Sequence, residues 1–164
     1  MTKTLTIEKV TADNFDAFID LIRRFAKYVK LDGPGDEAAA RLRRDSSSDA
    51  PKFEAYLGVH EGAAVGYVVF FMTYSSFLAL PTLYIEDLFI LEKYQRMGFG
   101  QQLFDFCIRQ AKEHNCGRIE WNVPNDDKPA IKFYRKNKAK NLNRSLYQIA
   151  LKDNGGAKAQ YPPS

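Results

Sequence analysis

The chain has 164 residues, a hydrophobic fraction of 45%, an aromatic fraction of 13% and a formal net charge of +4. That length supports one domain with a real core and is too short for two ordinary ones. No apolar run approaches the ~18 residues of a membrane span, Met1–Val10 lacks the apolar centre of a signal peptide, and the two cysteines and two histidines lack the spacing of a zinc site.

Thr4–Val10 alternates as a strand does. From Asp13 to Lys30 the apolar positions Phe15, Phe18, Ile19, Ile22, Phe25, Ala26 and Val29 recur at helical spacing, with Thr11 or Asp13 placed to cap the start. Gly33-Pro34-Gly35 breaks this helix, Asp36–Arg44 reads as a short polar helix, and Ser46–Pro51 is a loop by composition. Phe53–His60 and Ala64–Tyr74 flank Glu61-Gly62 as a hairpin, and the nearly continuous apolar run Leu83–Leu91 predicts a central strand covered on both faces.

A helix then runs to about Cys116 on the stripe Leu103, Phe104, Cys107, Ile108 and Ala111, and Gly117 is placed to end it in a left-handed cap. Arg118–Val123 reads as a strand. Pro129 fits the first position of a short helix to about Lys136, with Asp126 or Asp127 at its cap, and Ser145–Leu151 reads as a last strand. Residues 1–152 form a single expected domain, and 153–164 have the composition of a disordered tail. Strands joined by hairpins, then helices alternating with strands, predict an α/β (α+β) mixed sheet with helices on both faces.

The junction before the long helix, Gln95-Arg96-Met97-Gly98-Phe99-Gly100-Gln101, carries the chemistry. A strand, a glycine-containing turn and a helix N-terminus present main-chain N–H groups and partial positive charge, which suits a diphosphate. The spacing is Q-x-x-G-x-G, neither the dinucleotide fingerprint nor the P-loop. The basic positions Arg41, Arg43 and Arg44 and residues 128–140 read as solvated faces, and no nucleic-acid motif accompanies them. Cys107 and Cys116 read as reduced thiols, in keeping with a cytoplasmic location.

This loop, together with Phe71–Phe77, Tyr84-Ile85-Glu86-Asp87-Leu88-Phe89, Glu120-Trp121-Asn122-Val123 and Pro129-Ala130-Ile131-Lys132-Phe133-Tyr134, resembles the GNAT superfamily of N-acetyltransferases, and within it the diamine and thialysine N-acetyltransferase branch. The resemblance covers residues 4–151. It implies a GNAT-like acyl-CoA N-acyltransferase fold with a splayed pair of parallel strands, a homodimer, and direct transfer of an acetyl group from acetyl-CoA to a primary amine of a small molecule (diamine, polyamine-like or thialysine-like). The residues themselves, lacking metal-ligand spacing, a nucleic-acid motif and a long apolar run, lead us to expect no metal, no nucleic acid and no membrane partner. A protein or peptide amine as acceptor, or a non-catalytic acyl-CoA-binding module, is the alternative.

By the same resemblance, Leu88, Phe89 and Ile90 at the central-strand edge, residues Gln95, Arg96, Met97, Gly98, Phe99, Gly100 and Gln101, and Asp127 hold the cofactor. The thioester enters a gap expected between Leu88–Ile90 and Ile119–Val123. Glu86 is the base, sharing a face with Tyr84 and Leu88 while Asp87 points away. Tyr134 is the acid, and Tyr28 lines the acceptor pocket with Glu86. An alkylammonium with a pKa near ~10.4 needs such a base, because about one molecule in ~10³ is a free amine at neutral pH. Four positions depart from the branch. Val29 replaces an acid of the polyamine-acetylating members, which argues against spermidine and spermine. Asp127 replaces an Asn, Lys138-Ala139 replaces Gly-Ala and predicts a rearranged or longer helix end, and Asn143–Leu146 lacks a Trp.

Overall fold

The computed structural model describes residues 3–152. Its elements are β1 (Thr6–Lys9), α1 (Phe15–Tyr28), α2 (Asp36–Ser46), β2 (Glu54–His60), β3 (Ala63–Ser75), β4 (Leu80–Ile90), α3 (Phe99–Glu113), β5 (Arg118–Trp121) and α4 (Lys128–Lys136). The five strands form one sheet in chain order. Its first four strands are antiparallel, and β5 lies parallel to β4.

Each sheet face buries a different core, as the apolar runs predict. On one face Phe15, Phe18, Ile19 and Leu21 of α1 pack on Leu57, Tyr67, Val69 and Phe89. On the other, Phe99, Leu103, Phe104, Cys107 and Ala111 of α3 pack on Val65, Val68, Phe70, Leu83 and Ile85. The helical stripe of α3 is therefore the expected one. Glu61 and Gly62 both take positive φ (51° and 77°), the backbone of a tight primed hairpin turn between β2 and β3. At Gly66 a Cβ would lie 2.5 Å from the Phe89 carbonyl oxygen, so the close approach of β3 and β4 requires glycine there.

Four expectations are corrected. Asn14, not Thr11 or Asp13, is the N-cap of α1, and its side chain accepts from the Thr11 N–H at 2.7 Å instead of from the helix. Gly117 does not end α3. Asn115 takes the left-handed position (φ 54°), while the bare Cα of Gly117 lets Leu78 and Leu80 approach. Lys138 does not lengthen α4. It adopts φ 62° itself, and the Ala139 N–H closes on the Tyr134 carbonyl at 3.0 Å.

The fourth correction is the last strand. Residues 145–151 form none, and Tyr147, Ile149 and Leu151 stand 86–91% exposed. Alternation specifies which side chains would share a face. It does not supply a partner ladder, and β5 is only four residues long. The tail expected at 153–164 lies outside the described residues.

Candidate active site

Parallel pairing between β4 and β5 runs from Thr82 opposite Arg118 to Ile85 opposite Trp121 and stops there. Beyond it, β4 continues to Ile90 with that edge unpaired, while the chain leaves β5 at Asn122. The splay therefore opens between residues 86–90 and Asn122 onward. Ile119–Trp121, expected on its border, are paired. Asn122 Nδ2 donates to the Tyr84 hydroxyl at 2.6 Å across the start of the opening.

The carboxylates stand at this divergence. Val69 pairs with Asp87 but Phe70 pairs with Ile85, so Glu86 is an extra residue, a β-bulge. The bulge shifts the expected alternation at Leu88, which joins Leu83 and Ile85 on the α3 side instead of sharing a face with Tyr84, while Asp87 points away from Leu88 as expected. Leu88 packs with the α3-side core, whereas Asp87 turns to the α1 side, where the Tyr67 hydroxyl donates to Asp87 Oδ2 at 3.2 Å. Glu86 is exposed, and its charge acts on both Asp87 and Tyr67, so the two acids share one neighbourhood. Burial, then repulsion from Glu86, raises Asp87 to about 6 against the lowering effect of the Tyr67 bond. Burial, then Asp87, holds Tyr67 well above the usual phenol range.

Aromatic rings roof the same side. Phe89 meets Phe25 at 4.9 Å and Tyr28 at 5.6 Å, and Tyr28 remains 50% exposed. Phe89 thus turns its side chain to the α1 side, beside Phe25 and Tyr28. Val29 is the C-cap of α1.

On the opposite side, Tyr134 of α4 stacks on Trp121 at 4.7 Å and meets Phe104 at 5.7 Å. Since Trp121 pairs with Ile85, Tyr134 and Glu86 are brought to the same point of the sheet from different elements. Burial, then the Asp127 charge, raises the Tyr134 phenol to about 12, so it stays protonated at neutral pH. Burial also raises Cys107 to about 12, which removes it as a thiolate nucleophile.

The loop after β4 fits a diphosphate. Gly98 is the N-cap of α3 with φ 83°, and open space surrounds the positions where Cβ atoms would stand on Gly98 and Gly100. Arg96 is also left-handed (φ 62°). Among the described residues, no protein acceptor takes the main-chain N–H groups of residues 96–101 except those that continue the helix. Gln95 acts otherwise, its Nε2 donating to the Ile90 carbonyl at 3.0 Å and closing the loop on β4. Met97 packs against the α3-side core. Asp127 accepts from the Ala130 N–H at 3.1 Å as the N-cap of α4, so this carboxylate serves the helix. A shallow basic concavity of about 500 Å³ lined by Arg23, Lys27 and Lys30 lies at the end of α1 and includes none of these groups.

Sequence reasoning named Asp87 only as the strand residue opposite Glu86 and gave it no part in the site; the signal for one was two adjacent acids in an apolar strand.

A sequence profile of the acetyltransferase (GNAT) family matches residues 15–138. L-ornithine N5-acetyltransferase NATA1 of Arabidopsis thaliana is 42% identical over 76 residues, 46% of this chain, and the match spans 33% of that relative's length. Thialysine N-epsilon-acetyltransferase of Caenorhabditis elegans is 28% identical over 156 residues, 94% of this chain and 95% of the relative. Among solved structures, an aminoglycoside acetyltransferase from an uncultured soil metagenomic sample, in complex with sisomicin, superposes with a TM-score of 0.76 at 21% identity, covering 89% of this chain and 96% of the other. With its splayed β4 and β5 and helices on both faces of a mixed sheet, this chain belongs to the acetyltransferase (GNAT) family.

Proposed function

We propose that the protein moves an acetyl group from acetyl-CoA to a primary amine of a small, cationic molecule such as a diamine or a basic amino acid, by direct transfer. The observation that carries this is the splay after Ile85 and Trp121, with two adjacent carboxylates at its start, a protonated phenol across from it, and free main-chain donors in the next turn. The relatives that act on thialysine and ornithine support the acceptor class.

In this reading acetyl-CoA supplies the activated acetyl thioester. The N–H groups of residues 96–101 bind its diphosphate, and the unpaired edge at Leu88 and Ile90 hydrogen-bonds its amide-bearing arm. Glu86 takes the proton of the incoming ammonium, through water, while Asp87 and the ring faces of Tyr28 and Phe89 hold the positive charge. Tyr134 presents its hydroxyl proton to the departing sulfur. The absence of a reactive thiolate at Cys107 favours direct attack by the amine over a covalent enzyme intermediate. Val29 at the end of α1 favours a short diamine or amino acid over a long polyamine.

A homodimer in the cytoplasm completes the proposal. The tip of the β3–β4 hairpin offers Phe77 and Tyr74, 100% and 67% exposed, to a second copy, and two free cysteines suit a reducing compartment. Thiol release from acetyl-CoA, measured with panels of diamines, basic amino acids and peptides, tests the reading. Turnover confined to peptides would overturn the small-amine acceptor, and tight CoA binding without turnover would overturn the enzyme assignment.

A further inference from the structure

Gln101 has two attachments. Its main chain belongs to the first turn of α3, in the diphosphate cradle, while its side chain reaches the end of α4. Gln101 Nε2 donates to Asn137 Oδ1 at 2.7 Å, and Asn137 Nδ2 donates back to Gln101 Oε1 at 3.0 Å. The second proton of each amide is used too: Gln101 donates to Asp105 Oδ1 at 2.8 Å and Asn137 to the Phe133 carbonyl at 3.0 Å. These bonds fix the orientation of both amides, since flipping either would set donor against donor.

Asn137 is the C-cap of α4, one turn beyond Tyr134. Little else holds this helix. None of its residues is fully buried, and the chain after it forms no strand among the described residues. Its remaining anchors are the rings of Phe133 and Tyr134 against Phe104 and Trp121.

We propose that the reciprocal Gln101–Asn137 amide pair is a positioning device that couples binding of the CoA diphosphate at the start of α3 to the placement of Tyr134 over the gap. The inference rests on the acetyltransfer reading above. Ordering the first turn of α3 orders the Gln101 side chain, which fixes the end of α4. By linkage, a docked α4 tightens CoA binding by the same factor. Gln101 and Asn137 are positioning residues; neither side chain touches the reacting atoms.

The test uses the full chain with Asn137→Leu, Gln101→Met and the double variant. Gln101→Met keeps the length and helix preference of the side chain, so it serves if Asn137→Leu fails to fold. Steady-state kinetics give kcat and the KM for acetyl-CoA. A CoA titration is followed by the emission of Trp121, the single tryptophan, which stacks on Tyr134 at 4.7 Å.

Each single variant is expected to lower kcat about fivefold to twentyfold, weaken CoA about threefold to tenfold, and reduce, without abolishing, the amplitude of the CoA-dependent change in Trp121 emission. The double variant should be no worse than either single one. An active wild type with Gln101→Met within twofold in both kcat and CoA affinity overturns the proposal, as do additive losses in the double variant. A wild type that acetylates no amine but whose Trp121 responds to CoA overturns the acetyltransfer reading alone, because the coupling is still read by titration. A wild type that binds no CoA overturns both.

Discussion

Asp87 is the residue at which stability and activity are set against each other. Its ordinary pKa of 3.8 rises to about 6 in the fold. The native state therefore binds more protons than the unfolded chain between these values, and stability falls as pH rises through that window. At about 1.4 kcal/mol per pH unit, the ionised carboxylate costs about 3 kcal/mol once pH exceeds 6. Asp87→Asn removes the titration. The new amide oxygen still accepts from Tyr67, but its NH₂ group enters a half-buried site without an evident acceptor and costs about 1–3 kcal/mol at every pH. The net change at neutral pH is thus small, and the pH dependence is the clean signal. Urea unfolding at pH 4.5, 5.5, 6.5 and 7.5 should show wild type losing stability relative to Asp87→Asn by about 2 kcal/mol across the range. The variant should also bind the amine about tenfold more weakly, since an ammonium loses a desolvated carboxylate. A wild-type-minus-variant stability difference that stays constant with pH would refute the assigned burial and the sign of the shift.

Tyr134→Phe should lower kcat by about a hundredfold while CoA affinity, read by Trp121 emission, changes less than twofold. Lys138→Gly relieves a left-handed lysine (φ 62°) at the end of α4 and should raise the thermal midpoint by an amount equivalent to about 1 kcal/mol in calorimetry. Gly98→Ala meets no steric obstacle but must hold φ 83°. Chemical denaturation should show a loss of about 1–2 kcal/mol, and the CoA dissociation constant should rise as the turn relaxes away from that geometry.

Most of the frame was legible because periodicity reports burial. The stripes of α1 and α3, the Glu61-Gly62 hairpin and the Asp127 cap all follow from short-range pattern and appear in place. What escaped has a common origin in register and long-range pairing. A bulge adds one residue without altering composition, so strict alternation put Leu88 on the face of Tyr84 instead of with Ile85. The segment 145–151 alternates well but has no ladder to join. Asn115 took the left-handed site that Gly117 was expected to fill, because asparagine tolerates that backbone and Gly117 is needed for close packing two residues later. The Gln101–Asn137 pair spans 36 residues, a separation at which local pattern is silent.

One physical cause acts on both proton-handling sides of the gap, with opposite consequences. Burial raises a carboxylate toward the working pH and a phenol away from it. Asp87, raised to about 6, is ionised at neutral pH yet remains a stronger base than a solvated aspartate. Tyr134, raised to about 12, holds its proton through the whole useful range. A thiol titrates near ~8.5, so complete transfer from that phenol to a leaving thiolate is uphill by about 5 kcal/mol. In the proposed reaction Tyr134 therefore acts by donating a hydrogen bond that tightens as charge gathers on sulfur, from a ring already held by Trp121 and Phe104 before any bond breaks. That proposed role depends on placement more than on acidity, so it assigns the anchoring of α4 a larger part in catalysis than the helix's slight burial would suggest.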